Sequence, residues 1–182
     1  SNVIKPAIEN KINNKILKDI TYKNISFNEK DILDVEFINQ KPIGRSSRSN
    51  PVTYTKVYDD IRNLFARSPL AKKRNYKPGF FSFNIDGGRC PNCKGDGEIK
   101  IEMQFMADVY VKCEDCNGKK FKEEVLDIKC FDKNIYEILN LSIDEAIILF
   151  KKNKENKIAN KLQPLVDVGL NYLTLGQSSN TR

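Results

Sequence analysis

Histidine and tryptophan are both absent from the 182 residues, and methionine occurs only twice. Without histidine the chain cannot build a Ser-His-Asp triad, a Cys-His dyad or any histidine-ligated metal site. No apolar run approaches the roughly 20 residues needed to span a bilayer. The opening SNVIKPAIENKINN lacks the apolar stretch of a signal peptide. The expectation is a cytoplasmic chain with no membrane partner. Nucleotide-binding and hydrolase signatures are missing as well. There is no G-x-x-x-x-G-K-[ST], since Gly118-Lys119-Lys120 has neither the upstream glycine nor the hydroxyl, and no GxSxG or helix-opening GxGxxG. Asp59-Asp60 and Glu123-Glu124 are adjacent acidic pairs whose side chains diverge on a helix or strand, so they read as solvated rather than catalytic.

What the chain does have is positive charge in one place. The net charge is +7, from 31 basic and 24 acidic side chains. Between Lys41 and Phe80 lie Lys41, Arg45, Arg48, Lys56, Arg62, Arg67, Lys72, Lys73, Arg74 and Lys77, opposed only by Asp59 and Asp60. That block alone accounts for the whole excess. Serine, asparagine and tyrosine are interleaved with its arginines (GRSSRSNPVTYT), which supplies forked donors, hydroxyls and amides suited to phosphate oxygens. A solvated charged face is the plainer reading of any such run.

The length suits one ordinary domain or two small ones, and the periodicities predict a mixed α+β chain. Ala7, Ile8, Ile12 and Ile16 are spaced for a helix within residues 1–20, and residues 20–38 alternate weakly, as two strands. Prolines, Gly44 and serines break any period over residues 40–54. Val57, Ile61, Leu64 and Phe65 predict a helix from Lys56 to Arg67, capped by Thr55, followed by a basic loop, SPLAKKRNYKPG. A half-buried strand is expected over Ile99, Ile101, Met103 and Phe105, with further strands at 108–111 and across 121–131. Ser142 with Glu145 fits a capping box. A last helix is expected over residues 157–168, stopped by Gly169.

Cys90, Cys93, Cys113 and Cys116 read C-x2-C-x19-C-x2-C. Two CxxC knuckles joined by a ribbon form one tetrahedral thiolate site. Gly95 and Gly118 each lie two residues after the second cysteine of a knuckle, so both knuckles share one local pattern. Backbone amides in such turns donate to sulfur and orient it. Zn²⁺ is the expected metal. Disulfides and iron compete for the same thiols, the first disfavoured in a cytosolic setting. A metal held by four cysteines has no open position and is structural. Arg89, Lys94, Lys112, Lys119 and Lys120 surround the site and offset its negative charge. Cys130 lies outside the spacing and reads as a packed core thiol.

Three stretches carry a family resemblance: INQKPIGRSSRSNPVTYTKVYDDIRNLFA (38–66), KPGFFSFNIDGGRCPNCKGDGEIKIEMQFMADVYVKCEDCNGKKF (77–121) and KLQPLVDVGLNYLTLGQSSNT (161–181). Together, and in order, they resemble the UvrA family, the damage-sensing ATPase subunits of the bacterial excinuclease. Chaperones of the DnaJ kind share CxxCxGxG but not the rest. The resemblance implies an interior piece of the C-terminal ABC ATPase module, between its Walker A loop and its signature motif. The expected fold is then ABC signature-domain-like helices and short strands with an inserted four-cysteine zinc ribbon. The expected division is an ATPase-core segment with the Q-loop (1–55), a basic helical DNA-binding part (56–84), the zinc module (85–131) and a helical part (132–182).

By the same resemblance Gln40 occupies the Q-loop position serving ATP and Mg²⁺, in the longer parent only. Double-stranded DNA is the implied partner, gripped by Arg45, Arg48, Lys72, Lys73, Arg74 and Lys77. The parent would form a homodimer and meet UvrB through another domain. The segment 94–112 of the ribbon would help read the lesion or transmit the ATP state. Arg182 departs from the family, where leucine is expected, and the first 30 residues match poorly. Two other readings stay open: a zinc ribbon that docks a protein, with the basic block incidental, and a UvrA-like ABC protein of antibiotic resistance.

Overall fold

The computed structural model describes residues 4–13, 24–28 and 48–178. The chain divides into two compact units, Ser1–Pro42 and Ile43–Arg182.

In the first unit, helix α1 spans Ile4–Asn13 and buries Ala7. Pro6 falls in its first turn, where a missing N–H is harmless. Lys11 Nζ donates to the Ile25 carbonyl at 3.0 Å and lies 5.0 Å from the Phe27 ring centroid. Residues 24–28 form no strand, contrary to the alternation there. The rest of the two expected strands, and Ile16, lie outside the described residues.

The second unit opens with α2 (Pro51–Tyr54). Proline was expected to break this region, but at the first helical position its fixed φ favours a helix start. Asn50 and Thr53 close a reciprocal capping box around it. Thr55 does not cap the next helix. Its hydroxyl donates to the Pro51 carbonyl at 2.9 Å and ends α2. The chain then passes through Lys56 at φ +54 into α3 (Tyr58–Ala66), which starts without a side-chain cap. The expected basic loop contains α4 (Pro69–Lys73), capped by Ser68, whose hydroxyl accepts from the Ala71 amide at 3.3 Å. A 3-10 turn covers Pro78–Phe81.

Strands β1 (Glu98–Ile101) and β2 (Val109–Lys112) pair antiparallel, with Ile99 opposite Val111 and Ile101 opposite Val109. Phe81 and Phe83, which lead into the cysteine segment, pack into the core. The strand expected across 121–131 is absent, apart from its end. Phe121, Val125 and Ile128 are all buried at spacings of four and three, a helical rhythm. The segment accordingly forms α5 (Glu123–Leu126), then β3 (Lys129–Cys130), which pairs with β4 (Lys133–Asn134).

Helices α6 (Ile135–Leu139), α7 (Ile143–Lys152) and α8 (Asn156–Asp167) complete the unit. Ser142 and Glu145 form the expected capping box: the serine hydroxyl accepts from the Glu145 amide at 3.2 Å and the carboxylate accepts from the Ser142 amide at 2.8 Å. Ile143, Ala146, Ile147 and Phe150 line the buried face of α7, and Ile158, Ala159 and Leu162 that of α8. Past α8, Gly169 sits at φ +77, its amide reaching the Val166 carbonyl and the Leu170 amide that of Leu165. That is the left-handed stop the sequence indicates.

One hydrophobic cluster runs from Val52 through Ile61, Phe65, Phe81, Phe121, Ile138 and Phe150 to Leu175. Tyr58 ties it together. Its ring stacks on Phe83 at 4.7 Å, its hydroxyl donates to the Phe81 carbonyl at 2.8 Å and accepts from the Phe83 amide at 3.2 Å. Burial holds its phenol well above the usual tyrosine range.

Asp60 was read as solvated, and the structure corrects that. Its side chain is 15% exposed and accepts from Lys157 at 2.7 Å and Lys161 at 2.5 Å, joining α3 to α8. Burial opposes its ionisation, but the two ammonium groups outweigh burial and hold the carboxyl below its ordinary range. Cys130 packs in the core, and burial pushes its thiol up to about 11, as suits an inert core thiol.

Candidate metal centre

The four cysteines of the two CxxC knuckles meet at one point. All are buried, and their sulfurs lie within 4.8 Å of one another. Cys90 Sγ is 3.9 Å from Cys113 Sγ, and Cys93 Sγ is 3.7 Å from Cys116 Sγ. A tetrahedral site with metal–sulfur bonds of about 2.3 Å separates its sulfurs by about 3.8 Å. Disulfide sulfurs would sit about 2.05 Å apart, and all five cysteines are free thiols. The donor set therefore fits a tetrahedral thiophilic ion and not a pair of disulfides.

Each knuckle owes its shape to the same backbone pattern. Lys94 and Gly95 have φ +50 and +89, and Asn117 and Gly118 have φ +49 and +74. Glycine is required at Gly95 twice over: beyond its φ, an added Cβ would lie 2.1 Å from the Phe83 carbonyl oxygen. That close approach seats the first knuckle on the hydrophobic core. The Gly97 amide donates to Cys93 Sγ at 3.2 Å, and the Cys113 amide donates to the Gly97 carbonyl at 2.9 Å, linking the two knuckles. The Cys90 amide donates to the Lys120 carbonyl at 2.9 Å, beside an isolated bridge between Arg89 and Phe121.

The electrostatics of the four thiols differ. Burial pushes Cys116 up to about 12 and raises Cys93. Burial also opposes ionisation of Cys113, yet hydrogen bonds from the Cys116 amide and from the neighbouring thiols hold Cys113 below its ordinary range. A cation entering such a site displaces thiol protons as it binds. Lys120, its ammonium 5.6 Å from the Phe83 ring, is pushed below its usual range by burial.

From this centre the β1–β2 hairpin projects. The half-buried strand expected here is instead exposed along its length. Ile99, Ile101, Val109 and Val111 are cross-strand partners on one face, and all are exposed. Phe105, in the connecting loop, is 94% exposed. Lys100 lies 2.9 Å from both Glu102 and Asp108, which hold its ammonium well above the usual lysine range.

The basic block divides in the structure. Lys72, Lys73 and Lys77 are exposed and make no ion pair among the described residues. Arg74 donates to the Glu124 carbonyl at 2.8 Å and to Asp127 at 3.0 Å, clamping α4 to α5. Arg67 pairs with Glu155 at 3.3 Å, and Arg62 pairs with Asp59 beneath the Tyr58 ring. Arg48 reaches the first knuckle, donating to Asp96 at 3.4 Å and to the Lys94 carbonyl at 3.2 Å. Arg45 and Gln40 lie outside the described residues. Sequence reading missed the roles of Gly97, Arg89 and Asp96. The C-x-x-C-x-G-x-G run was visible and marked Gly97. Arg89 carried only its adjacency to Cys90, and nothing local marked Asp96.

A mixed helical body with small sheets and a buried cluster of four thiols that could hold a metal ion defines the class of module. Its relatives name the family. The chain is 48% identical over 183 aligned positions to UvrABC system protein A of Streptococcus pyogenes, covering 100% of this chain and 19% of that protein. It is 50% identical over 177 positions to UvrABC system protein A of Clostridium acetobutylicum, covering 97% of this chain and 18% of that one. The crystal structure of UvrA2 from Deinococcus radiodurans matches 78% of this chain and 17% of its own, with a TM-score of 0.73 and 46% identity. No protein-family model matches. The chain belongs to the UvrA family, and it spans about a fifth of the length of the curated relatives it matches.

Proposed function

We propose that this chain is the zinc-stapled, DNA-gripping portion of a damage-recognition ATPase subunit of bacterial nucleotide excision repair. The observation that supports it is the whole-length similarity to UvrABC system protein A. Cys90, Cys93, Cys113 and Cys116 hold Zn²⁺. With four thiolate ligands the ion has no open position, so it supplies folding energy rather than chemistry.

Arg45, Arg48, Lys72, Lys73, Arg74 and Lys77 contact phosphates of double-stranded DNA. Such contacts fix position on the duplex and carry little sequence information, as suits a protein that must find lesions in any sequence. The lesion is then sensed through the deformability of the duplex, with the 94–112 hairpin helping to read it. The helices flanking the module are signature-domain-like, in the four-part division set out above. Gln40 serves ATP and Mg²⁺ only in the longer parent. That parent works as a cytoplasmic homodimer and meets UvrB through another domain. No helix among the described residues is long and apolar enough to cross a membrane.

Duplex binding across a salt series tests this. Each neutralised phosphate contributes about −0.9 to the slope of log K against log salt, so a steep negative slope is expected. No affinity at low salt would end the DNA claim for this chain. Metal analysis tests the zinc, and a zinc-free chain of equal stability would refute it.

One observation favours a second reading, a protein-docking ribbon: the exposed apolar face of Ile99, Ile101, Val109 and Val111. Unchanged duplex affinity in the Arg45→Ala/Arg48→Ala variant favours docking, and weakened affinity favours DNA.

A further inference from the structure

Arg48 lies 48 residues from Asp96, yet its guanidinium is fixed on the first cysteine knuckle. Nε donates to Asp96 Oδ1 at 3.4 Å and Nη2 to the Lys94 carbonyl at 3.2 Å. Arg89 Nη1 donates to the same carbonyl at 3.1 Å. Two guanidinium groups thus converge on one peptide oxygen next to Cys93. That peptide cannot drift: Lys94 is left-handed, Gly95 abuts the Phe83 backbone, and the Asp96 amide donates to the Cys93 carbonyl at 3.0 Å. Contacts through two different nitrogens of a planar group set both its place and its plane.

The Arg48 and Asp96 side chains are about a third exposed, at 34% and 33%. A pair this accessible adds little to stability, so its consequence is orientation. An arginine ordered before it meets its ligand loses less rotamer freedom on binding.

We propose that Asp96 and the Lys94 carbonyl are positioning groups for Arg48, holding its guanidinium ready for a DNA phosphate and making that grip depend on an intact metal knuckle. This rests on the DNA-binding reading given above. It makes a prediction opposite in sign to simple charge. Removing an acidic side chain near a bound polyanion strengthens binding by Coulomb's law. If Asp96 positions Arg48, removing it weakens binding.

The test is fluorescence anisotropy of the full chain with a labelled duplex over a salt series. Arg48→Ala is expected to weaken binding about fivefold at low salt and to reduce the salt slope by about one. Asp96→Asn is expected to weaken it about two- to threefold, with metal content and melting temperature unchanged, and Asp96→Glu to restore part of the loss. The double variant should bind no more weakly than Arg48→Ala, because both act through one group. A chelator should erase the difference between wild type and Arg48→Ala. If Arg48→Ala weakens binding while Asp96→Asn strengthens it or leaves it unchanged, positioning is overturned and the DNA reading stands. If the wild type does not bind, or Arg48→Ala changes neither affinity nor slope, Arg48 grips no phosphate and both readings of it fall.

Discussion

The helical body and the cysteine ribbon of the second unit are held by different forces. The body buries a continuous cluster of aliphatic and aromatic side chains, from Val52 to Leu175. The ribbon has none: its own buried cluster is the four cysteines, and both hairpin strands are exposed along their length. A two-stranded hairpin without an apolar partner is marginal in water. The body therefore folds by excluding water, whereas the ribbon, on the zinc reading proposed above, folds around its metal. Their boundary is the Gly95 contact with Phe83, together with the Phe83–Phe121 edge-to-face pair at 6.5 Å.

Four substitutions sharpen this contrast. The largest effect is expected from Cys90→Ser, which removes a thiol from the proposed zinc site; structural zinc contributes about 10–16 kcal/mol of folding energy in comparable centres. Metal content should collapse and the hairpin amide resonances lose dispersion, while far-ultraviolet circular dichroism of the helices persists. Next is Phe150→Ala, which empties a fully buried site packed edge-on to Phe131. It should cost about 3–5 kcal/mol in denaturant titration and leave metal content intact, the mirror image of Cys90→Ser.

Gly95→Ala acts at the boundary. It combines an unfavourable φ with a clash against backbone, and should cost about 2 kcal/mol. The melting transition of the ribbon should separate from that of the body.

The smallest effect is expected from Asp60→Asn, about 1 kcal/mol in denaturant titration, since its lysine partners are 73% and 35% exposed. The folded state lowers the Asp60 pKa, so its contribution is present above the unfolded value of 3.8 and is lost as pH falls through the folded one. Metal binding to thiols fails at a higher pH, because protons compete for the sulfurs. Acid titration should therefore release metal before this ion pair weakens.

Local chemistry was readable in the sequence and distant pairing was not. The cysteine centre could be placed by residue number because ligand identity and two-residue spacing fix it. The Ser142–Glu145 cap and the Gly169 stop were equally local. The start of α3 was misplaced because the Thr55 hydroxyl donates to the Pro51 carbonyl and closes α2 instead of capping the next helix. Residues 121–131 were misread because Phe121, Val125 and Ile128 span too few turns for their period to stand out. The hairpin was expected to be half-buried because its alternation is real, but no layer among the described residues packs on its apolar face. Asp60 looked like a solvated acid since its lysines lie about 100 residues away. Arg48 carried the mark of a phosphate contact and none of its tie to Asp96.

The most direct test of metal-dependent folding in one region only is amide hydrogen exchange with and without a chelator. Removing the metal should abolish protection across Glu98–Ile101, Val109–Lys112 and the Gly97 and Cys113 amides, while α7 and α8 keep theirs. Unchanged protection of the hairpin after metal is gone, or equal loss across α7 and α8, would contradict the division between a body held by burial and a ribbon held by its thiolates.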